Sequence, residues 1–465
     1  MTLDRDSKSG LTATPARTRT RLPRYPLRPI IAFLAFIAFV IARYVQVGAR
    51  NDLLGTIRFE LLLGVVVIII VGAEMAGRMP GLGRGQRMVV MISLLFMAML
   101  IQLPMAAAPD LAVTMFVDKV IKFALMTFFM VVMVESPKYL RWFLAAFLFS
   151  VFYITLEAVQ GLISGGLVWE NQGIPRLHGA VPLYRHPNSL GGVAMGALPF
   201  TVFLFTQTDK KLVKLFFLAL SVTALVCVVY SGSRTAYVGL LSFVLWWFFQ
   251  SGKKTRWIGW AVIGAIVTLA VMPPEYIERF KSIGGQEKEG HSKDTRMVIL
   301  SDAWTIFQEN PLGVGVASFP AVRMVRFGRI QDTHNLYLEV ATNLGFQGLI
   351  VFLGLVGVMM WDLRRTSFGF RDQTRMLIRA VKKSSLPPEL RKPIGRHVGD
   401  LNFLEATAKA TAGFILIRLV LGLFGMDLYE VYWWFGAGIV LVLSALTVTT
   451  RRITGALITQ LNESN

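Results

Sequence analysis

Residues 331–360 read "QDTHNLYLEVATNLGFQGLIVFLGLVGVMM". A polar loop ends in Asp332-Thr333-His334-Asn335, and the chain then stays apolar for most of about twenty-five residues. An α-helix needs roughly 20 predominantly apolar residues to cross the hydrocarbon core of a bilayer. Runs of this kind recur along almost the whole chain. Its 465 residues are 54% hydrophobic and only 16% charged, with a mean hydropathy of +0.56. A soluble domain carries about 25% charged residues, so the composition is that of a membrane protein. The expected fold class is all-α and polytopic, because lipid forces each span to satisfy its own backbone hydrogen bonds.

The hydropathy pattern predicts about twelve transmembrane helices, at 29–49, 58–77, 88–104, 112–134, 139–160, 188–207, 212–230, 235–250, 257–272, 335–360, 407–425 and 430–449. The span at 112–134 carries Lys119 and Lys122. With the Arg-rich N-terminus inside, alternate connections are "GRMPGLGRGQR", "SPKYLR", "TDKKLVK", "SGKKTR" and 361–406, and the chain ends beyond Arg451-Arg452. All are basic, as the positive-inside rule requires. The opposite connections, among them 161–187 and 273–334, have no dense Lys/Arg cluster at a membrane edge. The net charge of +20 is thus an orientation signal and not a nucleic-acid footprint.

The domain reading follows. Residues 1–28 form a disordered basic arm, 29–272 hold the first nine spans with an outer loop at 161–187, and 273–334 form a large outer loop. The tenth span is 335–360, a basic inner segment follows at 361–406, spans eleven and twelve occupy 407–450, and 451–465 is an inner tail. The inner segment is expected to lie on the anionic leaflet, at roughly 1 kcal/mol per well-placed basic residue. Cys227 is the single cysteine, which rules out an internal disulfide. There is no phosphate-loop pattern and no metal-ligand spacing.

Polar chemistry concentrates in the outer loops. "YSGSRTAYVGL" puts Arg234 at the mouth between two spans, where an arginine is either functional or snorkels to headgroups. "SKDTRMVILSDAWTIFQENPLGVGVASF" reads as a helix capped by Asp294 or Thr295 and stopped by Pro311 and the following glycines. Met297, Leu300, Trp304 and Phe307 give it an apolar stripe, with Trp304 as interfacial anchor. Arg296 then falls in its first turn, against the helix dipole, which favours a ligand or a carboxylate partner. If Asp332 caps the tenth span, His334 lies in the first turn of that helix. The ring would stay neutral near pH 7 and suit a general base; alternatively it anchors a loop. Two forked cations beside a neutral base fit transfer from a diphosphate-activated donor, with the arginines stabilising the leaving diphosphate.

"THNLYLEVATNLGFQGL" resembles the histidine motif of the O-antigen ligase and polymerase superfamily of bacterial membrane glycosyltransferases. "YSGSRTAYVGL" resembles its arginine motif, "TRMVILSDAWTIFQENPLGVGVASF" is similar to its periplasmic-loop segment, and "PRLHGAVPLYRHPNSLGG" looks like its preceding stretch. The resemblance covers about residues 170 to 350. It implies a fold of the membrane glycosyltransferase (GT-C-like) type in the bacterial inner membrane, with both termini cytoplasmic and a periplasmic active site. It further implies an undecaprenyl-diphosphate-linked glycan as donor, lipid A-core or a second glycan as acceptor, inversion at the anomeric carbon, and neither metal nor cofactor. Carried over by motif, His334 would be the catalytic base and Arg234 and Arg296 would bind the diphosphate. Arg176 and Asn188 match positions that contact diphosphate or glycan. Ligase and polymerase share this chemistry and differ in acceptor, and protein hydroxyls are a further acceptor class. The long inner segment leaves room for a chain-length regulator or assembly partner. A transporter of lipid-linked sugars is the competing class, for which Lys119, Lys122 and Glu157 would be the midplane charges.

Overall fold

Apolar runs wind into helices, and the punctuation falls on residues that cap or break them. The computed structural model describes residues 23–77, 81, 83, 85–171, 174–250, 273–281, 291–383 and 386–463. In chain order the helices are α1 (Ile30–Val45), the short α2 (Val47–Arg50) and α3 (Asp52–Thr56), α4 (Phe59–Gly77), α5 (Gln86–Ile101), α6 (Pro109–Met115) and α7 (Lys122–Met133). They continue with α8 (Pro137–Ser164), α9 (Pro187–Phe205), α10 (Lys211–Tyr230), α11 (Arg234–Gln250), α12 (Pro274–Lys281), α13 (His291–Glu309) and α14 (Phe319–Phe327). Three long helices close the chain: α15 (Leu336–Lys383), α16 (Pro388–Leu421) and α17 (Val431–Glu463). α8 shows how the boundaries arise. Ser136 accepts from the Tyr139 amide at 3.2 Å, Pro137 takes the first helical position, and Gly165 ends the helix in a left-handed conformation.

The protein is a multi-pass, predominantly helical membrane protein. Among the described residues six helices are long and apolar enough to cross a membrane: α4, α8, α9, α10, α15 and α17. α1 and α5 are shorter apolar helices. The predicted span at 257–272 lies outside the described residues. α4 is the peripheral extreme, with Leu61, Leu62, Val65 and Ile69 exposed, whereas the apolar stretch of α17 is 78% buried. An aromatic cluster of Phe36, Phe143, Phe147, Phe200, Phe414 and Phe435 joins α1, α8, α9, α16 and α17 at the centre.

Three expectations are corrected. Residues 361–383 and 388–406, read as one separate basic segment, are helical continuations of α15 and α16, which pack together and against the end of α17 through Leu377, Ile394, Ile453, Leu457 and Leu461. The arm assigned to 1–28 is anchored at its end. Arg28 is buried and ion-paired to Glu74 at 3.3 Å and Glu135 at 3.2 Å, because a buried guanidinium requires carboxylate compensation. The loop at 161–187 adds an antiparallel hairpin to the helices: β1 (Val168–Asn171) and β2 (Ile174–Leu177), with Trp169 opposite Arg176.

α15 is two helices in one line. Gly345 has φ 72° and ψ −176°, which breaks the ladder after Leu344. The freed carbonyls find new donors: Val314 N–H bonds Thr342 O at 2.8 Å and Gly315 N–H bonds Asn343 O at 3.1 Å, while Phe346 N–H reaches Pro311 O at 2.9 Å. The loop after α13 is thus wedged into the break. A Cβ on Gly345 would sit 2.4 Å from Leu312 C, and one on Gly315 would sit 2.2 Å from Ala106 Cα. This wedge locks the segment carrying α13 and α14 onto the bundle, and it fixes where the chain re-enters at His334.

Candidate active site

A cavity of about 430 Å³ opens where the ends of α1, α9, α11, α15, α16 and α17 converge. Its wall includes Arg43, His186, Asn188, Ser233, His334, Arg418, Asp427, Glu430 and Tyr432. That volume lies within the range of small-ligand sites, about 300–1,000 Å³.

Arg176 and Asn188, matched separately in sequence, touch each other here. Arg176 on β2 is 1% exposed; one Nη donates to Asn188 Oδ1 at 2.7 Å and Nε donates to Ser231 O at 2.7 Å. The guanidinium therefore ties the hairpin to the turn before α11 and orients Asn188 at the cavity. Asn188 sits in the first turn of α9, behind Pro187, and His186 caps that helix by accepting from the Asn188 amide through Nδ1 at 3.1 Å. Burial, then Arg176, then His334 push the His186 pKa below its ordinary value. The lowering of the His186 pKa by His334 places the two imidazoles in one electrostatic neighbourhood.

His334 is not in a first helical turn. Asn335 is the residue that caps α15, its Oδ1 accepting from Leu338 N–H at 3.0 Å, so Asp332 is not the cap and the helix dipole acts on the ring less closely than expected. His334 stands one residue outside, with φ 48°. A non-glycine residue there is strained by about 1–2 kcal/mol, and such strain collects at functional sites. Among the described residues no hydrogen bond holds its ring, which projects at the cavity mouth. The ring still favours neutrality, for another reason: partial desolvation first, then Arg296, lower its pKa, Asp332 opposes them, and Arg323 adds a smaller lowering.

Arg296 thus reaches His334 electrostatically. It lies in the second turn of α13, not the first, because the helix starts at His291, and the dipole cost expected for it is correspondingly weaker. Ile299, Asp302, Ala303 and Ile306 form the buried face, and Met297 and Trp304 are exposed. Asp302 was overlooked as part of this face. It receives Arg323 of α14 through Nη2 at 2.9 Å and Nε at 3.0 Å, and Arg329 at 3.2 Å. Arg323 also donates to Gln331 Oε1 at 3.0 Å, which braces the strand of chain leading to His334.

Arg234 opens α11, between Ser233 and Thr235, which both line the cavity; its own side chain is half-buried beside them and is not part of the wall. The structure therefore gathers Arg176, Asn188, His334 and the field of Arg296 around one cavity and places Arg234 at its edge. Among the described residues no three His, Cys, Asp or Glu side chains cluster as metal ligands. His186, Arg418 and Arg43 were not singled out in the sequence. Arg418 had a signal: an arginine inside an apolar span carries a functional presumption, the rule applied to Arg234.

Residues 219–353 match the family model described as O-Antigen ligase. The match supports the O-antigen ligase and polymerase superfamily over that segment. The ligase match runs from α10 into α15 and contains Arg234, Arg296 and His334, whereas Arg176, Asn188 and Arg418 lie outside it. No curated protein matches the chain.

Proposed function

We propose that this protein is a GT-C-like, inverting and metal-independent glycosyltransferase of the inner membrane. It moves a glycan from undecaprenyl diphosphate to an acceptor hydroxyl at the periplasmic face. The observation that carries the reading is the single cavity holding a neutral-leaning His334 within the field of Arg296, inside a segment of the ligase family. In the reaction His334 accepts the proton of the acceptor hydroxyl. That oxygen bonds the anomeric carbon from the face opposite the carrier, the bond from carbon to the diphosphate oxygen breaks, and the diphosphate leaves with the electron pair. Arg296 and Arg234 stabilise that leaving charge, and Arg176 holds Asn188 toward the glycan or diphosphate. The acceptor is lipid A-core for a ligase and a second lipid-linked glycan for a polymerase. The charges that would suit a transporter are engaged in ion pairs: Lys119 with Glu430 at 2.6 Å, Lys122 with Asp118 at 2.6 Å, and Glu157 with Arg50.

The test is transfer in proteoliposomes from a polyprenyl-diphosphate glycan, without nucleotide and with chelator present, offering lipid A-core in one arm and a second lipid-linked glycan in the other. Product in either arm supports the reading and names the acceptor. Movement of intact donor across the vesicle, with no new glycosidic bond in either arm, overturns it.

The pH profile gives a second expected result. His334 works as a base when neutral, and its pKa is below 6.5, so the rate should be flat above that value and fall on the acid side. Arg296 is one of the groups that lower the pKa. Arg296→Gln should therefore move the acid limb upward, toward pH 6.5, besides weakening the reaction. An acid limb that stays in place would remove Arg296 from the neighbourhood of the base.

A further inference from the structure

Arg418 has no part in the mechanism above. It lies near the C-terminal end of α16, is 2% exposed, and forms part of the cavity wall. Its neighbours are neutral: one Nη donates to Gly192 O at 2.8 Å, and the guanidinium rests 3.2 Å from the centroid of the Tyr432 ring. Its Nε is buried without a hydrogen-bond partner, and among the described residues no carboxylate lies in ion-pair contact with it. α9 makes room for the group. A Cβ on Gly192 would lie 3.3 Å from Nη1, and one on Gly196 would lie 3.1 Å from Nη2. Arg43, at the end of α1, lines the same cavity over the Phe123 ring and likewise makes no ion pair among the described residues.

The acids nearby do not cancel these charges. Glu430 is held by Lys119. Asp427 stands outside ion-pair distance of Arg418; burial lifts its pKa to about 6 against the opposing pull of Arg418, so it is largely ionised at neutral pH but makes no direct contact with the guanidinium. An arginine at this depth without a counter-ion is costly, and it persists in membrane proteins where a ligand supplies the missing charge.

We propose that Arg418, assisted by Arg43, is a second anion pole of the cavity that takes the phosphate-bearing headgroup of a lipid. The two candidate sources are the carrier diphosphate of the donor and bulk anionic phospholipid. The proposal rests on the glycosyltransferase reading for the identity of the donor and on the geometry alone for the pole. A phosphate here accepts the free Nε–H of Arg418, and the lipid tail leaves between helices while the glycan faces His334 at the mouth.

The experiment measures binding of labelled farnesyl diphosphate to the full chain in phosphatidylcholine nanodiscs, with inorganic pyrophosphate, farnesol and phosphatidylglycerol as competitors. Wild type should bind and be displaced by pyrophosphate, and farnesol should not displace. Loss of a charge-assisted bond predicts that Arg418→Gln weakens binding by about 10–100-fold, with Arg418→Lys in between. Arg43→Gln should weaken it several-fold. Displacement by phosphatidylglycerol as effective as by pyrophosphate supports the pole and makes bulk lipid its occupant. Unchanged binding in both Arg418→Gln and Arg43→Gln overturns the proposal. If Arg418→Gln does not fold, wild-type binding insensitive to pyrophosphate or to Arg43→Gln overturns it. Arginine-dependent binding without any transfer product would defeat the glycosyltransferase reading and leave the pole intact.

Discussion

Asp302→Ala is expected to destabilise the segment carrying α13 and α14 by about 3–5 kcal/mol, because it strands a buried guanidinium. Arg323 is 0% exposed and has Asp302 as its carboxylate, with Arg329 on the same oxygen. The alanine variant leaves Arg323 without compensation, whereas Asp302→Asn keeps an acceptor and should lose less. The loss should also reach the site, since Arg323 holds Gln331, three residues before His334 in the chain. Thermal unfolding in detergent reads the stability. A shift no larger than that of a surface substitution, within about 0.5 kcal/mol, would mean that the Asp302–Arg323 pair does not brace the loop.

His334→Asn is expected to cut transfer by about 10²–10⁴-fold, the usual worth of a positioned base. Its stability should be unchanged or slightly raised. The backbone at His334 has φ 48°, a conformation that asparagine adopts at less cost than most residues. No hydrogen bond of the imidazole is lost among the described residues. A structural histidine predicts the reverse: activity near wild type, or activity lost only together with the fold. Rate and unfolding temperature on the same preparation separate the two.

Much of the helical layout was legible in the sequence. Alternating apolar runs and basic connections depend on local composition, and helices occupy each predicted span within the described residues. The exact entry at His334 was not legible, because Asp332 and Asn335 are both good caps and only packing chooses between them. The break at Gly345 was equally hidden. Glycine in an apolar span is common, and this one becomes a hinge only because the loop at Pro311–Gly315 inserts there. The C-terminal part of α15 and the N-terminal part of α16 read as a surface-bound basic segment, yet sparse apolar residues such as Leu377 and Ile394 suffice to pack them.

The site was legible residue by residue but not as pairs. Arg176 and Asn188 stood out as separate matches, and their hydrogen bond depends on the hairpin folding back over the α10–α11 turn. Asp302 read as the polar side of an amphipathic helix, and it is buried because Arg323 arrives from another helix. Arg418 was absorbed into an apolar span.

The most direct measurement is a structure of the His334→Asn protein with an undecaprenyl-diphosphate glycan bound, since that variant should hold the donor without turning it over. The diphosphate is expected inside the cavity between Arg296 and Arg418, with the anomeric carbon facing residue 334. An acceptor oxygen placed between that carbon and the side chain should then fall within about 3–3.5 Å of both. Donor bound elsewhere on the bundle, or in the cavity with its anomeric carbon turned away from residue 334, would contradict the assignment of His334 as the base.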